Sequence, residues 1–124
     1  MDKKSLEEYL DNQGIHDEVL WDYILKYEYP DEGYKLCSVG KFDFMVSHFF
    51  DDSDLPGYGL IATNAILEGK DEDLVAIGLI EGDDIICYKK FTGQVFLWMV
   101  QTGVGELVEV ADTFKQFIEK CTHQ

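Results

Sequence analysis

The chain has no arginine. All 10 of its basic residues are lysine, set against 25 aspartates and glutamates, for a formal net charge of -15. Nucleic-acid binders neutralise phosphates with clustered Lys and Arg, so a chain this acidic is repelled by DNA and RNA. Anionic lipid surfaces repel it for the same reason. Neither nucleic acid nor membrane is therefore expected as a partner. Long apolar runs are also missing: Leu74 to Ile80 and Val95 to Val100 are strand-sized, far below the roughly 18 to 20 residues of a membrane span. Met1-Asp2-Lys3-Lys4-Ser5-Leu6-Glu7-Glu8 has no apolar stretch behind its lysines. No secretory leader is expected, and the expected compartment is the cytoplasm.

Cysteine is scarce. Cys37, Cys87 and Cys121 are odd in number and show no CxxC spacing, so neither a disulfide framework nor a zinc site is expected. All three read as small core residues. Catalytic patterns are missing as well. No GxSxG elbow surrounds Ser5, Ser38, Ser47 or Ser53, and no glycine-rich phosphate cradle exists. The loop Asp51-Asp52-Ser53-Asp54 lacks the sixth-position Gly and twelfth-position Glu of a calcium loop, where Pro56 and Ala62 stand. His16, His48 and His123 are isolated in sequence, and His48, between Ser47 and Phe49 in a strand-like stretch, reads as structural. With 25 acids some close carboxylate pair is near-inevitable, so such pairs carry no signal. The expectation is a protein without catalysis, cofactor or metal.

What is present suits one globular domain spanning all 124 residues, with 46% hydrophobic and 14% aromatic residues. Such a chain buries roughly two-thirds of its unfolded surface. Leu6, Tyr9 and Leu10 mark a short opening helix with Ser5 and Glu8 as its cap. Asp17-Glu18 opens a second helix with the apolar stripe Val19, Leu20, Tyr23, Ile24 and Tyr27, which Pro30 stops. From Tyr34 to Phe50 the pattern is β-like, an acidic loop follows from Asp51 to Gly57, and Leu60 to Leu67 reads as a short helix. Leu74 to Ile80, Asp84 to Lys90 and Gln94 to Val100 are strands joined by Gly82 and Gly93 turns, an antiparallel meander. Leu107 to Val110 leads into a closing helix capped by Asp112, with Phe114, Phe117, Ile118 and Cys121 on one face. The expected class is α+β, with N-terminal helices and a C-terminal helix packed on a central antiparallel sheet.

Four pieces are more specific in combination. They are Leu-Val-Ala-Ile-Gly at 74–78, Glu-Gly-Asp-Asp-Ile-Ile-Cys-Tyr at 81–88, Thr-Gly-Gln-Val-Phe-Leu-Trp at 92–98 and Val-Ala-Asp-Thr-Phe-Lys-Gln-Phe-Ile at 110–118. This order and spacing resembles the SUKH superfamily of bacterial immunity proteins and fungal cell-wall-synthesis regulators. Gly78, Gly82, Asp83, Tyr88, Gly93, Val95, Trp98, Ala111, Asp112, Phe114 and Phe117 match its pattern, with Thr113 in place of the usual Ser. Residues from Leu20 to Gly33, with Tyr27-Glu28-Tyr29-Pro30, lack the family's usual helix and turn signature. The resemblance implies an intracellular protein that binds and neutralises a cognate toxin, or else a regulatory, scaffolding interaction module.

An acidic surface independently favours a basic protein partner, which it steers into contact. The expected contact residues are three acidic turns, Asp51/Asp52/Asp54, Asp71/Glu72/Asp73 and Glu81/Asp83/Asp84, with Tyr88 and Trp98 as aromatic anchors.

Overall fold

Leu6 and Leu10, four apart, are both fully buried and fix the otherwise polar helix α1 (Lys3–Asn12) to the core. Ser5 lies inside this helix rather than at its cap, because the helix already begins at Lys3. Residues 3–26, 35–39, 42–67, 73–99 and 105–123 are described by the computed structural model. Helix α2 (Glu18–Lys26) starts at Asp17, whose Oδ1 accepts the Val19 and Leu20 amides at 3.1 and 3.2 Å. Leu20 and Ile24 are buried beneath it, whereas Val19, expected on the same stripe, is 41% exposed. Tyr27 lies outside the described residues.

The strands are β1 (Lys35–Val39), β2 (Phe42–Phe49), β3 (Leu74–Ile80), β4 (Ile85–Lys89), β5 (Val95–Trp98), β6 (Leu107–Ala111) and β7 (Cys121–His123). They form one antiparallel sheet in the order β6-β5-β4-β3-β2-β1-β7. The β-like stretch before the acidic loop is thus two strands, and the expected meander continues through them. The α+β architecture is as expected from the sequence.

One sheet face carries Phe44, Val46, Phe49, Ile80, Ile86, Tyr88, Val95 and Leu97, all at most 7% exposed. Helices α2 and α4 (Phe114–Glu119) pack there. Phe114 meets Tyr23 and Phe49 edge-on, with centroids 5.6 and 6.1 Å away, and Phe117 stacks on Phe44 at 6.3 Å. The cap of α4 is Thr113 rather than Asp112: its Oγ1 accepts the Gln116 amide, and the Gln116 side chain returns to the Asp112 amide. The Gln116 side chain thus reaches one residue past the cap, a variant of the capping box, in which it would accept from the cap residue's own amide.

Where β2 leaves the sheet after Phe49, the short helix α3 (Leu60–Ile66) replaces it beside β3. Asn64 on α3 accepts the Ala76 amide and donates to the Ala76 carbonyl, both at 2.8 Å, imitating a neighbouring strand. Two residues on, Gly78 permits a close approach: a Cβ there would lie 2.8 Å from the His48 carbonyl oxygen.

The cysteine expectation fails for two of three. Cys37 and Cys121 are direct partners in the β1–β7 register and are joined by a disulfide across 84 residues of sequence. Cys121 belongs to β7 rather than to the closing helix, because the chain turns at Lys120 and runs back along β1. Cys87 lies outside this bridge and is buried, as expected of a core residue.

Candidate protein-binding face

Directly opposed residues of an antiparallel pair lie on the same face of a sheet. Register therefore defines a row on the face turned away from α2 and α4: His48 opposite Leu79, Leu79 opposite Ile85, Ile85 opposite Trp98, and Trp98 opposite Leu107. Five neighbouring strands contribute one residue each. Ile85 is buried, Leu79 and Trp98 are half-buried, and Leu107 is 43% exposed. Phe96, opposite Cys87 and Glu109, begins a second row on this face.

At the β2 end of the row, the Tyr58 ring stacks on His48 at 4.9 Å between centroids. His48 Nε2 lies 2.6 Å from the Gly57 carbonyl, which only accepts, so the proton sits on Nε2 and Nδ1 accepts from Ser47 Oγ at 3.0 Å. The Nε2 contact thus ties the loop to β2. Gly57 N–H donates to Thr63 Oγ1, Ser53 N–H donates to Asp51 Oδ1, and the Asp51 and Leu60 amides close the loop against Tyr58 and Asp51 carbonyls.

The expected contact residues divide. Glu81 and Asp83 are exposed in the β3–β4 turn, beside Ile85 and hence at the same end of the sheet as Trp98. Asp83 adopts φ 66, a left-handed position that Asp tolerates in tight turns. Asp73 lies at the opposite end of this hairpin, where the Lys90 amide donates to its carbonyl, and Asp51, Asp52 and Asp54 lie in the loop after β2 that is bonded to His48 and Tyr58. Asp71 and Glu72 lie outside the described residues.

Two expected contact residues are interior. Asp84 is 0% exposed, and its carbonyl accepts the Ile80 amide to close the turn. Tyr88 is 4% exposed on the helix-covered face, and its hydroxyl donates to Asp17 Oδ2 at 2.9 Å. Burial, then the adjacent carboxylate, pushes its pKa well above the ordinary tyrosine range. Tyr88 therefore fastens the start of α2 to β4 and is no surface anchor.

The row of Leu79, Ile85 and Leu107 was not foreseen, although its signal is in the sequence. An antiparallel strand with one wet face alternates apolar and polar residues. Leu74–Ile80 and Ile85–Tyr88 do not alternate, so the sheet is apolar on both faces. Among the described residues no set of three or more His, Cys, Asp or Glu is arranged to hold a metal, and no helix is long and apolar enough to cross a membrane.

Comparison with family models finds a match to the SMI1 / KNR4 family (SUKH-1) over residues 4–120. The chain belongs to the SUKH-1 family. The match takes in the N-terminal helices, whose sequence departs from the pattern carried by residues 74–118. Searches of curated proteins and of solved structures returned no match. Membership in SUKH-1 supports a role in protein–protein interaction. For this SUKH-1 domain, the row ending at Trp98 and Leu107 is where apolar area, an indole and acidic turn residues come together.

Proposed function

We propose that this SUKH-1 domain acts by stoichiometric binding rather than catalysis, as an immunity protein that neutralises a basic toxin domain in the cytoplasm. The observation that carries the reading is the Leu79–Ile85–Trp98–Leu107 row with Glu81 and Asp83 at its end. Half-buried Trp and Leu beside acids are the composition of an interface centre with a charged rim. The net charge of -15 would speed encounter with a basic partner, by about 10-fold to 1000-fold at low salt.

The test is growth rescue. The C-terminal domain encoded immediately upstream in the source genome is expressed with and without this protein. Killing that this protein reverses supports the pairing; a harmless neighbour, or killing that continues, overturns it and favours a scaffolding role of the cell-wall-regulator type. With a toxin in hand, Trp98→Ala should raise its dissociation rate, whereas Glu81→Lys with Asp83→Lys should slow association and flatten its salt dependence. Association that ignores both changes would place the interface elsewhere.

A further inference from the structure

The sheet ends at β6, and among the described residues no strand lies beyond it. Its hydrogen bonding fixes which backbone groups face outward. Met99 N–H donates to the Glu106 carbonyl at 3.0 Å, so the polar groups of Glu106 point toward β5. By the alternation of an antiparallel strand, Val108 also points toward β5, while Leu107 and Glu109 turn their N–H and C=O groups away. At the far end of the strand the Val110 carbonyl accepts from Lys120 Nζ at 3.1 Å. A bulge lies at the same end, between Val95 and Phe96. Lysines and bulges are the usual devices that blunt a sheet edge. Here both act near Ala111, and residues 107–109 are left as a short edge with Leu107 and Glu109 exposed.

We propose that β6 is a docking edge, taking an extended lysine- or arginine-bearing segment of the partner as an additional antiparallel strand. This deepens, and rests on, the binding reading above, since β6 is also the rim of the Trp98–Leu107 row. Strand addition supplies affinity through the main chain and selectivity through alternate side chains. Leu107 and Glu109 share one face, opposite Trp98 and Phe96 respectively. The segment therefore places an apolar residue against Leu107 and, two positions away, a basic residue against Glu109. A second copy of this chain is disfavoured as the occupant. It would bring another net charge of -15 to the joint and repeat Glu106 and Glu109 on both sides.

The probe is a synthetic acetylated Thr-Lys-Thr-Val-Thr peptide amide, whose Lys and Val lie two positions apart on one face, compared with an analogue N-methylated at alternate backbone amides. The analogue keeps the charge but cannot complete a ladder. Backbone NMR of the whole protein should show the parent peptide shifting the Leu107 and Glu109 amides and slowing their exchange several-fold, with the analogue doing neither. Leu107→Pro removes an outward N–H without touching the β5 ladder and should abolish the effect, whereas Leu107→Ala should keep it. Equal responses to the two peptides would mean adsorption by charge and overturn the proposal. Protection confined to other strands, or identical behaviour of Leu107→Pro and Leu107→Ala, would overturn it too. Failure here with growth rescue intact removes the edge alone; a responsive edge without rescue removes the toxin pairing alone.

Discussion

At position 88 a phenol is buried against a carboxylate that already has another task. Asp17 caps α2 with one oxygen and accepts from Tyr88 with the other. Tyr88→Phe removes that donor, and we expect a loss of about 1–2 kcal/mol in urea unfolding, the lower part of the range for hydrogen bonds to charged groups because Asp17 keeps some solvent. The same contact has a pH signature. The folded phenol ionises at higher pH than the ordinary value of about 10, so its stabilisation is complete below about pH 10 and is lost as the pH rises beyond it. Melting temperature measured from pH 9 to 11 should therefore fall more steeply for the wild type than for Tyr88→Phe. Parallel curves would show that the phenol is not held neutral by folding.

Two connections between elements were invisible to pattern reading. The first is Asn64, which satisfies both backbone groups of Ala76 where β2 has left the sheet. Asn64→Ala strands a buried donor and acceptor and should cost about 2–4 kcal/mol. Asn64→Asp, nearly the same size, should be almost as harmful, because a carboxylate faces the Ala76 carbonyl without a proton to donate. A harmless Asn64→Asp would mean that shape, not hydrogen bonding, is what the site needs. The second is β7, three residues long, held to β1 by its ladder and by Cys37–Cys121. Closing a loop of 84 residues predicts a stability loss of about 2–4 kcal/mol on Cys121→Ser, from the entropy of the unfolded chain. Thiol titration in denaturant should count one reactive thiol before reduction and three after. Three at the outset would remove the bridge, and the count from freshly lysed cells also bears on the compartment, since reducing cytosol disfavours disulfides.

On the scale of the whole molecule, charge is the dominant property. With -15 spread over 124 residues and 10 lysines to offset the acids, self-repulsion works against the folded state. Raising NaCl from about 10 to 150 mM shortens the Debye length from about 30 to 8 Å, and the melting temperature should rise by several degrees. An unchanged melting temperature would show the acids to be locally compensated. The charge also explains why acidic turns were a weak guide to the binding face. Acids are everywhere, so only position on the sheet distinguishes Glu81 and Asp83, beside Ile85 and Trp98, from Asp51, Asp52 and Asp54 in the loop at the His48 end of the row.

Local signals were legible because they depend on neighbours in sequence. The α2 cap at Asp17, the Gly82 and Gly93 turns, the meander strands and the burial of Phe114 and Phe117 all follow from spacing and residue chemistry within a few positions. The sequence alone also determined the sign of the charge and, through its ordered motifs, the resemblance to the SUKH superfamily. Tertiary structure decided everything that joins distant segments: the Cys37–Cys121 pairing, the eclipse of Asp84 and Tyr88, and the alignment of Leu79, Ile85, Trp98 and Leu107 in one row. The reason is register. A shift of one residue between strands sends every side chain to the opposite face, and that choice is made by cross-strand pairing and helix packing rather than by any single strand.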